Sequence, residues 1–271
     1  MSDCNGNCSS CGEKCDKSQF MAKPLESTKI KKIIAVMSGK GGVGKSMVTD
    51  ILAVNFQRKG YKTAILDADI TGPSIPKAFG INEQAYGSED GKVIYPAETA
   101  SGIKLMSMNL LLGEETEPVV WRGPVISGAV KQFYTDVLWE EVDYMFVDMP
   151  PGTGDVPLTV FQSLPIDGIV VVTTPQELVS VIVEKAIKMA EMMKIKIYGA
   201  VENMSYIECP KCGEKIYPYG KGKLEEVAKE YGLKILGRLP IKEELSLKVD
   251  GGAVESIGEY LQNAVEEIEK A

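Results

Sequence analysis

Short apolar runs alternate with helix-like stretches along most of the chain. From residue 31 onward, the apolar runs have the length of strands that are buried on both faces, and the stretches between them have helical spacing. The predicted strands are 33–37, 63–66, 144–147, 168–173 and 198–202, and the predicted helices are 45–59, 122–139, 177–193 and 222–232. This alternation predicts an α/β fold in which helices cover both faces of a mostly parallel sheet.

Four segments depart from this alternation. Residues 1–28 contain four cysteines among polar residues, so we predict a tail that only a metal would order, followed by one α/β domain over residues 29–271. Residues 82–102, rich in Gly, Glu, Ser and Asp, predict a loop or hairpin. Residues 203–222 carry a Cys-Pro-Lys-Cys-Gly turn between tyrosines and predict a small knuckle that projects from the sheet. Residues 253–270 predict a last helix with a glutamate-rich, solvated face.

The composition excludes several kinds of chemistry. The 271 residues include no histidine, which excludes Ser-His-Asp and Cys-His nucleophile systems and histidine-ligated zinc or iron within this chain. The net charge of −8 disfavours nucleic acid as a partner. No apolar run is long enough to span a membrane and the polar N-terminus does not resemble a signal peptide, so we expect a cytoplasmic protein without a membrane partner. In that reducing compartment, clustered cysteines are expected to bind metal rather than form structural disulfides.

A glycine-rich motif follows the first predicted strand and begins the first predicted helix. Its sequence, GKGGVGKS, matches the P-loop pattern G-x-x-x-x-G-K-S in the structural context that the pattern requires. Backbone N–H groups of such a loop converge on phosphate oxygens, Lys45 would pair with the β- and γ-phosphates, and Ser46 would ligate Mg²⁺. The predicted nucleotide-binding residues of the loop are Gly39, Lys40, Gly41, Gly42, Val43, Gly44, Lys45 and Ser46.

Two predicted strands end in aspartates that could manage Mg²⁺ and the attacking water. Asp67-Ala68-Asp69 follows one strand, and Asp148 ends another, before Met-Pro-Pro-Gly-Thr-Gly-Asp. An isolated aspartate at a strand end is usually a turn or a cap. Two of them downstream of a P-loop favour a catalytic role.

Further motifs make a family resemblance specific. Because of its second lysine, Lys40, the loop is similar to the deviant Walker A motif of the MinD/ParA/nitrogenase-iron-protein group. Within this group the chain resembles, from about residue 31 onward, the Mrp/ApbC family of ATP-binding iron-sulfur cluster carriers. The motifs that carry the resemblance are DADITGPSIP (67–76), VWRGP (120–124), DMPPGTGD (148–155), TTPQE (173–177), VENMS (201–205) and CPKC (209–212). The N-terminal cysteines point to the branch that includes the cytosolic iron-sulfur scaffold ATPases.

The resemblance implies roles for individual residues. Lys40 would reach across a homodimer interface to the partner's nucleotide, and Asp69 would orient the attacking water close to the magnesium ion. Asp148 would hold Mg²⁺ through water, and Asn203 would read the adenine. Lys40, Lys45 and Asp69 are the predicted catalytic residues, and Ser46, Asp69 and Asp148 form the predicted magnesium site. Many members carry Asp where this chain has Ile182, so the role of that carboxylate is left open.

The six cysteines form two groups. Cys209 and Cys212 provide two thiolates, whereas an iron-sulfur cluster or a structural zinc ion needs about four ligands. A two-fold homodimer would complete the set and hold a [4Fe-4S] cluster on its axis. The alternative is Zn²⁺ held by this pair together with Cys8 and Cys11.

The other cysteine group is confined to the N-terminal tail. It consists of Cys4, Cys8, Cys11 and Cys15. Four thiolates this close in sequence can wrap one [4Fe-4S] cluster, and the alternative is a solvated tail without a metal.

These observations predict a homodimeric ATPase of slow turnover that assembles a [4Fe-4S] cluster and transfers it to apoproteins. A positioning ATPase of the MinD/ParA kind is a first alternative, which the acidic surface disfavours. An electron-transfer reductase like the nitrogenase iron protein is a second, although its cluster ligands come from two separate segments of each chain. A zinc-stabilised ATPase or scaffold without cluster transfer is a third.

Overall fold

The computed structural model describes residues 21–70, 72, 74–111, 123–176 and 179–271. Within these ranges, the side chains of residues 123, 124, 155 and 179–182 are not part of the description. The four N-terminal cysteines, the Trp121–Arg122 pair and the side chain of Ile182 therefore lie outside it.

Strands and helices alternate as the sequence predicts. The strands are β1 (Lys29–Ser38), β2 (Thr63–Asp67), β3 (Tyr86–Gly87), β4 (Ile94–Tyr95), β5 (Ala97–Glu98), β6 (Lys104–Met106), β7 (Glu141–Asp148), β8 (Gly168–Thr173), β9 (Lys196–Glu208), β10 (Lys215–Ile216) and β11 (Ile235–Pro240). The helices are α1 (Lys45–Arg58), α2 (Ile75–Ala78), α3 (Gly123–Thr135), α4 (Asp155–Ser163), α5 (Val179–Met193), α6 (Leu224–Tyr231), α7 (Glu243–Asp250) and α8 (Gln262–Glu269).

The central sheet is mostly parallel, which confirms the predicted fold class. Within the described residues it has nine strands in the order β10-β9-β8-β1-β7-β2-β6-β5, and β11 pairs with β9 outside this path. The strands β11, β9, β8, β1, β7, β2 and β6 pair in parallel, whereas β5 and β10 are antiparallel additions. The separate β3–β4 pair is antiparallel, so the hairpin expected within 82–102 is confirmed.

The sheet is buried on both faces because its strands are apolar at successive positions. In β1, Ile33 and Ala35 belong to the core on one side of the sheet, and Ile34 and Val36 belong to the core on the other side. Side chains of α3, α4 and α5 cover the first side, and side chains of α1 and α8 cover the second. Burial of each large apolar side chain contributes about 1.5–3 kcal/mol. This two-sided core fixes the carboxyl ends of the parallel strands along one edge.

Two predicted helices have different ends in the structure. The helix expected over 122–139 ends at Thr135, because Val137 bridges to Ile94 and the indole N–H of buried Trp139 donates to the Phe133 carbonyl at 3.0 Å. The helix expected over 253–270 is a single 3₁₀ turn over Val254–Ser256 followed by α8. The elements α4 and β11 are further findings of the structure, since the sequence pattern did not distinguish them from their surroundings.

The first described residues are packed against the domain. The Ala22 N–H donates to the Ser163 carbonyl at 2.8 Å, and Ala22 is buried. The boundary between residues 28 and 29 stays a prediction.

None of the helices in the described ranges is both long and apolar enough to cross a lipid bilayer.

Candidate nucleotide and metal site

The glycine-rich loop, residues 39–44, connects β1 to α1 at the carboxyl edge of the parallel sheet. Gly42 and Gly44 have φ angles of 77° and 76°, which favour glycine because a Cβ is strained there. A Cβ on Gly44 would also lie 2.1 Å from the amide nitrogen of Asn203. The loop therefore approaches β9 more closely than any side chain at position 44 allows. Its N–H groups and the amino end of α1 form the kind of site that binds phosphate.

Lys45, the first residue of α1, is buried against the end of β7. Its Nζ lies 2.6 Å from Oδ2 of Asp148 and 3.6 Å from Oδ2 of Asp69. Burial alone would lower the pKa of Lys45, but the charge of Asp148 and the hydrogen bond to it raise that pKa above its ordinary value. Lys45 is thus held as an ammonium ion at the base of the loop.

Asp148 is the centre of the hydrogen bonds below the loop. It is fully buried and accepts hydrogen bonds from Lys45 Nζ and Ser46 Oγ, both at 2.6 Å, and from Thr49 Oγ1 at 2.7 Å. Mg²⁺ prefers oxygen ligands and is usually held by one or two protein groups together with phosphate and water. The hydroxyl of Ser46 beside the carboxylate of Asp148 fits that requirement. No group of three or more Cys, Asp or Glu side chains in the described ranges is placed to hold a metal by itself.

Two further carboxyl groups are buried near this centre, and both were missing from the predicted site. Asp67 pairs in register with Asp148 and accepts a hydrogen bond from Ser107 Oγ at 2.9 Å. Burial, and then the charge of Asp148, raises the pKa of Asp67 to about 8. Burial and the same charge raise the pKa of Asp50, in α1, well above its usual range. The only feature of the sequence that pointed to a role for Asp67 was the Asp-x-Asp pattern it forms with Asp69. No sequence pattern near Asp50 pointed to a role for that residue.

Asp67 therefore holds a proton at neutral pH, and burial and the charge of Asp148 favour the protonated form of Asp50 as well, since one buried lysine cannot neutralise three buried carboxylates. Oδ1 of Asp50 has no hydrogen-bond partner among the described residues.

Asp69 and Lys40 lie at the more exposed side of the loop. The side chain of Asp69 is 15% exposed, and its backbone N–H donates to Oδ1 of Asp67 at 3.1 Å. Lys40 Nζ donates to Oε1 of Gln176, which follows β8 in the same chain. The predicted roles of Asp69 with water and of Lys40 across a dimer stay predictions.

Asn203 lies beneath the loop and is 1% exposed. Its Nδ2 donates to the Val43 carbonyl at 2.9 Å, and its Oδ1 accepts from the N–H of Met204. The amide thus ties β9 to the nucleotide loop in this structure. Its predicted contact with adenine stays a prediction, and it would use the second N–H of the amide.

Cys209 and Cys212 lie in the turn between β9 and β10, and we call residues 206–216 the cysteine hairpin. The Cys209 N–H donates to the Glu214 carbonyl and the Gly213 N–H to the Cys209 carbonyl, both at 2.9 Å. The backbone N–H groups of Lys211 and Cys212 lower the pKa of the Cys209 thiol. Both thiols are free, and Cys212 is exposed. The turn thus favours the thiolate form of Cys209, which is the form that binds metal.

The structure thus brings together most of the predicted residues. The loop, Asp69, Asp148 and Asn203 surround one centre, and the cysteine hairpin extends from the same edge of the sheet. Cys209 is the sixth residue after Asn203, a span of at most about 20 Å.

Comparisons with known proteins agree with this arrangement. A family model described as ParA, NUBPL iron-transfer P-loop NTPase, matches residues 29–271. A protein of Clostridium perfringens named iron-sulfur cluster carrier protein is 46% identical over 267 residues, 92% of this chain and 94% of its own. A protein of the same name from Methanocaldococcus jannaschii is 47% identical over 251 residues, 89% of this chain and 86% of its own.

Solved structures also resemble this chain. A nucleotide-binding protein from Archaeoglobus fulgidus, in complex with ADP, has a TM-score of 0.77 at 44% identity and covers 91% of this chain and 94% of its own. The cell division protein MinD of Aquifex aeolicus, with a TM-score of 0.60 at 20% identity over 89% of this chain and 98% of its own, shares the fold alone. The family match, the identities and the loop geometry agree: the chain belongs to the ParA family of NUBPL iron-transfer P-loop NTPases.

Proposed function

We propose that this protein binds and slowly hydrolyses Mg-ATP, assembles a [4Fe-4S] cluster between two copies of itself, and transfers the cluster to apoproteins. The observation that carries the proposal is that one strand, β9, connects a buried P-loop centre to a pair of free thiols in a surface turn. The names of the relatives from Clostridium and Methanocaldococcus support the same reading. With six cysteines to keep reduced, the protein acts in the cytoplasm.

The nucleotide half of the proposal follows from the groups around Asp148. Phosphate oxygens at the loop would compete with Asp148 for the ammonium of Lys45. Asp148 and Ser46 would then be available for the Mg²⁺ that accompanies ATP. Asp69, at the exposed side of Lys45, would orient the attacking water. Turnover would be slow, because the only assistance is electrostatic and positional.

Lys40 would take part in ATP hydrolysis only after a rearrangement. Its ammonium is bound to Gln176 of its own chain, and the proposed role requires it to reach the nucleotide of a second copy. Exchange of Gln176 for a phosphate oxygen replaces a neutral acceptor by a charged one, which forms the stronger hydrogen bond. Dimer formation around ATP therefore favours the release of Lys40.

The cysteine half of the proposal depends on an incomplete site. Each chain contributes two thiolates from Cys209 and Cys212, and a four-ligand cluster needs two chains. A cluster held at an exposed turn by two bonds per chain can leave it, which suits a carrier. The four N-terminal cysteines would hold a second [4Fe-4S] cluster.

The nucleotide loop and the cysteine hairpin are coupled through β9. Met204 follows Asn203 and has a φ of 55°, an uncommon angle for a residue with a side chain. Just before them, buried Glu202 accepts hydrogen bonds from Ser205 Oγ and Arg238 Nε. The base of the hairpin is therefore fixed to the residue that contacts the loop. A shift of the loop on ATP binding would change the angle at which the two hairpins of a dimer meet.

Iron counting after anaerobic reconstitution tests the carrier proposal. Wild type incubated with iron and sulfide should retain more iron than Cys209→Ala/Cys212→Ala. A variant in which the four N-terminal cysteines are replaced by serine measures separately how much iron the second cluster holds. Zinc at full occupancy in wild type, with no cluster retained, would contradict the carrier function and leave the ATPase standing.

Hydrolysis assays test the ATPase proposal. Asp69→Ala should bind Mg-ATP with the affinity of wild type and lose hydrolysis by about 100-fold or more, because the attacking water is no longer oriented. If Asp69→Ala hydrolyses ATP at the rate of wild type, the role given to Asp69 is wrong.

A further inference from the structure

Exposed apolar side chains are concentrated around the cysteine hairpin. The described residues expose eight large hydrophobic side chains, and three of them are Ile207, Ile216 and Tyr219, with exposed fractions of 37%, 53% and 50%. The other five are distributed over the rest of the domain. Contiguous exposed apolar surface usually marks an interaction site.

The two faces of the hairpin differ. Ile207 lies opposite Ile216 in the antiparallel register, so the two side chains are neighbours on one face, which we call the isoleucine face. On the other face, the rings of Tyr206 and Tyr217 lie 6.3 Å apart, and Lys215 Nζ lies 4.3 Å from the centre of the Tyr206 ring. The tyrosine face is thus covered by its own contacts, whereas the isoleucine face leaves about a third to a half of each isoleucine side chain exposed.

The thiol of Cys209 belongs to the isoleucine face. The hydrogen bond from the Cys209 N–H to the Glu214 carbonyl continues the ladder by one pair beyond Glu208 and Lys215. Because side chains alternate along a strand, Cys209 lies on the same face as Ile207. An apolar pair therefore lies directly beside the sulfur that would bind the cluster.

The charge around the thiols differs from that of the whole chain. Residues 206–223 contain four lysines and two glutamates, whereas the chain has 38 acidic and 30 basic residues. Positive groups near a thiolate stabilise it. The same lysines would repel those of a second copy unless thiolates and their cargo lie between them.

We propose that the isoleucine face is the surface through which a second copy of this chain closes over the shared cysteine site and shields it from water. The inference rests on the proposed function, since it concerns the same site. In a two-fold interface each patch meets its own copy, and an apolar pair is complementary to itself whereas a lysine is not. The site itself is incomplete without the second copy.

The small size of this face has a consequence for assembly. Two isoleucines per chain bury far less than the roughly 1,200–2,000 Å² of a stable protein interface. The hairpins therefore close only when shared cargo, or the nucleotide interface, adds to the contact. The isoleucine face governs how long the closed state lasts.

The test compares wild type with Ile207→Thr/Ile216→Thr after reconstitution. Threonine keeps the β-branch that suits a strand and removes the apolar surface. We expect the double variant to lose its cluster to a chelator roughly tenfold faster, with unchanged affinity for Mg-ATP, as each lost apolar contact shortens the closed state. Ile216→Thr alone should give an intermediate rate. Met192→Gln/Leu247→Gln, which alters two even more exposed apolar residues on α5 and α7, is the control and should lose its cluster at the rate of wild type.

The outcomes are distinguishable. A wild type that retains no cluster contradicts the proposed function and this inference together. A double variant that binds Mg-ATP and keeps its cluster as long as wild type overturns the inference and leaves the carrier function standing. A double variant that keeps its cluster and fails only in transfer to an apoprotein assigns the face to the recipient, which also overturns the inference.

Discussion

The nucleotide loop and the cysteine hairpin, at one edge of a single sheet, are built in opposite ways. Lys45 and Asp148 are buried at the junction of β1, β7 and α1, and every oxygen of Asp148 accepts a hydrogen bond. Cys209 and Cys212 lie in an exposed turn, held by backbone hydrogen bonds of the turn itself. The first region is enclosed by the domain core, and the second projects from it.

The difference matches what each region would have to do. A phosphate site gains from groups that are fixed in advance in a site protected from water, where charge interactions are strong. A site that accepts and releases cargo gains from exposure and from incomplete ligation within one chain. We therefore expect substitutions at the loop to affect folding and binding together, and substitutions at the hairpin to affect metal binding alone.

Lys45→Ala should have the largest effect. It removes the cation that neutralises buried Asp148, which destabilises the fold by about 3–5 kcal/mol, and it removes the contact to phosphate. Urea unfolding and calorimetry with Mg-ATP measure the two effects. Lys40→Ala is the control, with near wild-type stability, because the Lys40 ammonium donates to an exposed, neutral glutamine. Wild-type affinity of Lys45→Ala for Mg-ATP would contradict the assignment of the loop.

The pH dependence of stability should reveal the buried carboxyl at the loop. The pKa of Asp67, about 8 in the folded chain against 3.8 as its ordinary value, means that the folded state holds a proton which the unfolded state has lost. Stability without nucleotide should therefore fall as pH rises from about 4 to 8, by up to about 1.4 kcal/mol per pH unit, and level off above.

Asp67→Asn, which is neutral at every pH, should make the fall in stability between pH 5 and 8 less steep, and the part that remains belongs to Asp50. Asp90→Asn is the control: hydrogen bonds lower the pKa of exposed Asp90, so its contribution is lost only below about pH 4. Urea unfolding of the three proteins at pH 5, 6, 7 and 8 gives the comparison. Parallel curves for Asp67→Asn and wild type would show that Asp67 does not hold the proton.

Gly44→Ala should destabilise the protein more than Gly42→Ala. Both residues have left-handed backbone angles, for which an alanine costs about 1–2 kcal/mol. Only at Gly44 does the added Cβ also clash with a neighbour in the described structure, the amide of Asn203. Urea unfolding of both variants, and of Gly44→Ala combined with Asn203→Ala, tests this contact. Equal losses for the two glycines would show that the loop does not touch β9 as closely as described.

Cys209→Ala/Cys212→Ala should have the smallest effect on the fold. Since the side chains lie at an exposed turn, the melting temperature without metal should change by less than about 2 °C. Affinity for Mg-ATP should equal that of wild type. A large loss of stability in metal-free protein would show that the hairpin contributes to the stability of the domain. It would contradict the contrast between the exposed hairpin and the enclosed loop.

Much of the architecture could be predicted from the chain alone. The strand at 33–37, the glycine-rich loop and the helix from 45 follow one another in the sequence. Their spacing therefore predicts the position of the phosphate-binding loop between β1 and α1, as the structure has it. The positions of Asp69 and Asp148 were predictable because the carboxyl ends of parallel strands meet at one edge. The end of α3 at Thr135 and the start of α8 at Gln262 could not be predicted. The burial of Trp139 and the left-handed backbone angle at Leu261 depend on residues that are far away in the chain.

The sequence by itself determined the family, the loop and the two groups of cysteines that could ligate metal, because each is a short pattern whose chemistry is local. Only the tertiary structure decided that Asp50 and Asp67 share a buried pocket with Lys45, that Asn203 supports the loop, and which face of the hairpin carries the thiol. Burial and strand register arise from contacts between residues far apart in the chain, and these contacts set both the pKa of a carboxyl and the face on which a side chain lies.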